Sequence, residues 1–139
     1  MGGRPRELHD TATVNVYRVQ IGPDSTNLCG WSTNSVTFSL TNSYWGMAGI
    51  TWTSSPAGLL PAGGIGPTFT VTGNTSVATG YVIRASIAGF TNCFDEATLN
   101  IFKIDIEQAV TNTCGNGQTN AFLNLTTGSY WGPSGVMWM

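Results

Sequence analysis

Only 9% of the 139 residues are charged, against roughly 25% in an average globular protein, and the formal net charge is −2. Ser, Thr, Asn and Gly fill the vacated places, so the surface is polar through hydroxyls and amides. Apart from Arg4 and Arg6 there is no basic cluster, which leaves nucleic acid no electrostatic footprint to bind. No apolar run approaches the roughly 18 residues of a membrane-spanning helix, so no membrane span is expected.

The chain opens Met1-Gly2-Gly3-Arg4-Pro5-Arg6-Glu7-Leu8-His9-Asp10, which lacks the apolar core of a secretory signal. Residues 1–12 read as an N-terminal arm or leader. From there strand patterns dominate and no helical period survives. Val14, Val16, Val19 and Ile21, with Tyr17, form a β-branched run that stops at the turn cluster Gly22-Pro23-Asp24. Val36-Thr37-Phe38-Ser39-Leu40 and Ile50-Thr51-Trp52-Thr53 alternate apolar and polar, as half-buried strands do. Residues 59–67 are rich in Gly and Pro and read as a loop or irregular edge. Thr68-Phe69-Thr70-Val71-Thr72 alternates again. Residues 81–87 predict a strand with Tyr81, Ile83, Ala85 and Ile87 on one face, and the last strand is read over residues 97–106. About seven short strands with Gly/Pro/Asn turns describe an all-β sandwich.

Part of this chain is written twice. Thr13-Val14-Asn15-Val16-Tyr17-Arg18-Val19-Gln20-Ile21 returns as Thr98-Leu99-Asn100-Ile101-Phe102-Lys103-Ile104-Asp105-Ile106. Thr26-Asn27-Leu28-Cys29-Gly30 returns as Thr111-Asn112-Thr113-Cys114-Gly115, and Ser43-Tyr44-Trp45-Gly46 as Ser129-Tyr130-Trp131-Gly132. Behind these, Gly49 and Trp52 match Gly135 and Trp138. The offset is 85 at the cysteines (114 − 29) and 86 at the tryptophans (131 − 45), which makes Gly128 an inserted residue. The matched positions are apolar residues, glycines and aromatics, the types that set packing and turns. A period of this length suits tandem domains rather than a solenoid. The organisation expected is a complete unit at 13–104 followed by a partial second unit at 105–139.

Trp52-Thr53-Ser54-Ser55-Pro56-Ala57-Gly58, the Gly63-Gly64-Ile65-Gly66 loop and Phe69-Thr70-Val71 carry a resemblance. So do Tyr81-Val82-Ile83-Arg84-Ala85-Ser86, Cys93-Phe94-Asp95-Glu96-Ala97 and the closing strand. Together they resemble bacterial Ig-like or PKD-like tandem β-sandwich repeats of secreted and cell-surface proteins. That resemblance implies an Ig-like sandwich with no catalytic residues, acting as a spacer, stalk or adhesin at an extracellular or cell-surface location.

The three cysteines, Cys29, Cys93 and Cys114, leave two readings open: a Cys29–Cys93 disulfide clamping one end of the sandwich, which would imply an oxidising compartment, or free thiols. The single histidine, His9, lies in the leader, so no Ser–His–Asp or Cys–His pair is assembled in the repeat. The cysteines are too dispersed for zinc, and the glycine-rich loop at 63–66 lacks the Lys-Ser/Thr of a phosphate cradle. Asp95-Glu96 and Asp105 with Glu107 are the acidic pairs weighed as calcium ligands against plain solvated acids, and no cofactor is expected. Trp31, Tyr44, Trp45, Tyr130 and Trp131 are candidates for either an interface or stacking on sugar rings. Asn74 and Asn124 head N-glycosylation triplets.

Two functions follow as expectations. One is a structural or adhesive repeat protein that assembles head to tail into a filament, the partial second unit being completed by strands from a neighbouring subunit. The other is a carbohydrate-binding surface module.

Overall fold

The computed structural model describes residues 8–74, 76–108, 110–112, 115 and 121–139. Residues 1–7, most of the expected arm, lie outside them, as do Cys114 and Thr75 of the Asn74 triplet. The described chain has no helix and eight strands: β1 (Ile21–Gly22), β2 (Ser25–Cys29), β3 (Ser35–Leu40), β4 (Ile50–Ser55), β5 (Gly63–Ile65), β6 (Thr68–Thr72), β7 (Gly80–Ile87) and β8 (Phe90–Phe102). They form a β-sandwich of two sheets, ordered β1-β3-β6 and β2-β8-β7-β4-β5.

Alternation along each strand builds the core. Tyr81, Ile83, Ala85 and Ile87 of β7 are all buried, as the period-two pattern predicts. They meet Ile50 and Trp52 of β4 and Ala97, Leu99 and Ile101 of β8, with Phe38, Phe69 and Val71 of the smaller sheet, in one apolar cluster. Trp52 links the two layers. Its ring stacks on Phe69 at 5.7 Å between centroids, and its indole N–H donates to the Gly66 carbonyl at 2.8 Å. Each fully buried Leu, Ile or Phe stabilises the sandwich by roughly 1.5–3 kcal/mol. Tyr81 is buried with its hydroxyl donating to the Val77 carbonyl at 2.7 Å, and burial raises the phenol above its ordinary pKa.

Three segments depart from the sequence expectation. The 14–21 run is not one strand. Only Ile21 and Gly22 join a sheet, against Leu40 and Ser39, and Arg18 makes an isolated bridge to Tyr44. Val14 and Val16 are 82% and 76% exposed, because among the described residues no strand lies beside them. The 25–29 segment, too polar to read as a strand, is β2. It is held by parallel main-chain pairing along β8, with Ser25 opposite Thr98 and Cys29 opposite Phe102. β8 itself begins at Phe90 rather than at Ala97, turning from β7 through Ala88 and Gly89, whose φ of +81° suits glycine. Cys93 therefore lies within β8.

That placement overturns the disulfide reading. Cys29 and Cys93 are both free. Cys29 lies opposite Phe102, nine positions further along β8 than Cys93 (102 − 93). At about 3.3 Å per residue that is roughly 30 Å of strand, far beyond the roughly 7 Å between Cα atoms that a disulfide tolerates.

Candidate functional site

The site begins with a local clasp that the chain makes twice. In the first copy, Arg18 and Tyr44 exchange backbone hydrogen bonds of 2.8 Å each. The Ser43 hydroxyl accepts from the Gln20 amide at 2.8 Å, and the Thr41 amide donates to the Gln20 carbonyl at 2.8 Å. The Tyr17 and Tyr44 rings stack at 6.1 Å. In the second copy Lys103 and Tyr130 exchange bonds of 2.9 and 2.8 Å, and the Thr126 amide donates to the Asp105 carbonyl at 2.8 Å. The Ser129 hydroxyl accepts from the Asp105 amide at 2.9 Å, and Phe102 stacks on Tyr130 at 5.9 Å. Each of these pairs is related to its counterpart by the sequence offset. The β1–β3 pairing recurs too: Ile21 opposite Leu40 is matched by a bridge between Ile106 and Leu125.

The glycine closing each Ser-Tyr-Trp-Gly motif explains the geometry. Gly46 has φ +59° and Gly132 φ +60°, and a Cβ there would sit 3.2 Å from the Tyr17 ring and 3.1 Å from the Phe102 ring. The aromatic at 17 or 102 packs this close to the turn because glycine both adopts the left-handed conformation and leaves the space.

The surroundings of the two clasps differ. Trp52 and Phe38 are 1% and 0% exposed, whereas their counterparts Trp138 and Leu123 are 52% and 44% exposed. The strands that carry Leu99, Ile101 and Val71 cover the first pair. Among the described residues no strand covers the second.

Between the two copies lies a cleft of about 430 Å³, lined by Cys29, Gly30, Trp31, Phe102, Lys103, Ile104 and Asp105. Trp31 projects from it at 70% exposure, held at φ +66°, a conformation uncommon for any residue but glycine. Its amide donates to the Gly73 carbonyl at 3.1 Å. The Lys103 ammonium lies 4.1 Å from the Trp31 ring centroid and 3.7 Å from the Asp105 carboxylate. A cation in that position is attracted by the ring's quadrupole.

The other sequence candidates separate. Trp45 packs against the core cluster, and Tyr44 and Tyr130 each spend a ring face on their stacking partner. Trp131 is about one-third exposed (37%). Asn74 is exposed, as is Asn124, whose carbonyl accepts from the Glu107 amide at 2.8 Å. Of the acidic pairs, Asp95 accepts from the Ile21 amide at 2.8 Å and Glu96 pairs with Arg84 at 2.7 Å, so both carboxylates tie strands together. Among the described residues no group of three or more His, Cys, Asp or Glu is placed to hold a metal, and no helix is long and apolar enough to cross a membrane. Lys103 escaped the sequence reading. The signal for it was present, since the repeat puts a cation at that position twice, as Arg18 and as Lys103.

No family model, no curated protein and no solved structure matches the chain.

Proposed function

We propose that this chain is a non-enzymatic structural or adhesive repeat protein of the cell exterior, built from Ig-like sandwich units that associate head to tail by strand complementation. The observation that carries the reading is the pairing of one conserved geometry with two degrees of burial. The second copy makes the same clasp as the first, while its core counterparts Leu123 and Trp138 are left partly uncovered. Apolar residues preset for a sandwich and lying at its surface are a docking face for strands. The strand arrangement supports the Ig-like resemblance: the opening strands divide between the two sheets, β1 on β3 in one and β2 on β8 in the other. The low charge and hydroxyl-rich surface support an extracellular or cell-surface setting, where adhesin and filament repeats are exposed.

Deleting residues 109–139 tests it. The truncated chain is expected to remain a folded monomer while the full chain self-associates, as read by light scattering and electron microscopy. Polymers formed equally by the truncated chain would end the assembly reading.

A second reading rests on Trp31. Its exposed ring at the mouth of the inter-copy cleft has the form of a platform for a sugar ring, and Lys103 beside it would favour an acidic glycan. Trp31→Ala is expected to abolish binding to an acidic glycan array with unchanged melting. Retained binding would remove this reading.

A further inference from the structure

Residues 13–17 have the composition of a core strand, and among the described residues no sheet receives them. Their counterparts in the repeat, residues 98–102, occupy the slot between β2 and β7. There Leu99 and Ile101 are 0% exposed, against 82% and 76% for the matching Val14 and Val16. The polar face is matched as well. Asn100 donates to the Asn27 side chain at 3.1 Å across the β2–β8 pairing, and the repeat places Asn15 and Asn112 at the equivalent positions.

We propose that Thr13, Val14, Asn15, Val16 and Tyr17 form a donor strand that adds, in parallel, to residues 110–112 of a second copy of this chain. The register is the one β8 takes on β2: Ser25 opposite Thr98, Thr26 opposite Leu99 and Asn27 opposite Asn100 become Val110 opposite Thr13, Thr111 opposite Val14 and Asn112 opposite Asn15. In the first copy Leu99 and Ile101 share one cluster with Phe38 and Trp52. In the assembly Val14 and Val16 take those roles over the partly exposed Leu123 and Trp138 of the second chain. Each chain then offers a strand at one end and a receiving face at the other, a heterologous contact that propagates unless its rotation closes a ring. This inference rests on the head-to-tail reading and supplies its donor and register.

Sedimentation of three full-length chains tests it: the natural sequence, Val14→Asp/Val16→Asp, and Val14→Leu/Val16→Ile. The natural chain is expected to associate with rising concentration. The aspartate pair is expected to raise the dissociation constant by more than about tenfold, since two carboxylates would be buried against apolar side chains. Its melting temperature should stay unchanged because both positions are exposed within one chain. The Leu/Ile pair, which restores the side chains of β8, is expected to tighten association. If the natural chain associates and the aspartate variant associates equally well, the donor strand is wrong and the head-to-tail reading stands. A natural chain that is monomeric at every concentration overturns both.

Discussion

Trp52 and Trp138 hold the same place in the two copies and live in opposite surroundings. Trp52 lies in the sandwich, stacked on Phe69 with its N–H satisfied by the Gly66 carbonyl, while Trp138 is half exposed. Yet the clasps that precede them share their main bonds, from the Arg18–Tyr44 and Lys103–Tyr130 exchanges to the serine hydroxyls that accept from the Gln20 and Asp105 amides. The contrast separates two kinds of structure. A clasp is specified by the segments that make it: two strand ends, a serine, an aromatic and a glycine turn. A core needs strands from further along the chain; β6, β7 and β8 supply them to the first copy, and among the described residues no strand does so for the second.

The tryptophans give the largest test of that separation. Trp52→Ala is expected to cost about 3–5 kcal/mol in urea denaturation, as large-to-small changes of buried aromatics do. Trp138→Ala in the dissociated chain should stay within about 0.5 kcal/mol, the range of surface substitutions. Equal losses would mean that Trp138 is buried in solution, and the contrast would disappear.

The turn glycines give a smaller effect that should be equal in both copies. Gly46→Ala and Gly132→Ala each force a Cβ into the left-handed region at about 1–2 kcal/mol, with an added contact at the Tyr17 or Phe102 ring. Hydrogen exchange at the Tyr44 and Tyr130 amides reads the two clasps separately. Matching loss of protection is expected, and a loss confined to one copy would show that the clasp depends on the core after all.

Tyr81, in β7, gives the smallest effect. Burial raises its folded pKa above the unfolded value near 10. The folded state therefore holds the proton more tightly, so the stabilisation is fully present below about pH 10 and is lost as pH rises through the folded pKa. Tyr81→Phe should cost about 1 kcal/mol at neutral pH through the lost hydrogen bond to Val77 and flatten the decline above pH 10. A decline unchanged in the variant would assign it to another group.

How much of this was legible depended on whether side chains or main chain held each element. β3, β4, β6 and β7 alternate in hydrophobicity, so their buried faces could be read directly and their bounds to within two residues. β2 and the first half of β8 could not. Ser25, Thr26 and Asn27 have no apolar pattern, and Phe90, Phe94 and Asp95 are held by the β7 ladder and by ties such as Asp95 to the Ile21 amide. The 14–21 run shows the reverse error. Its pattern is that of a core strand, yet among the described residues only its end, Ile21, joins a sheet. At the candidate site, the aromatics were legible as residues, but their roles were not. Only the packing separates Trp45, against the core, from Trp31, beside Lys103 at the mouth of a cleft.

By itself, then, the sequence determined the all-β class, the repeat with its inserted Gly128, and the residues that form each clasp, because these rest on composition, local alternation and turn chemistry. Tertiary structure alone decided that β2 runs parallel to β8, that Cys29 and Cys93 stand too far apart to bond, and that Trp52 is buried while Trp138 is not. Those outcomes depend on contacts between segments far apart in the chain, and a similar local sequence carries no information about which neighbours arrive.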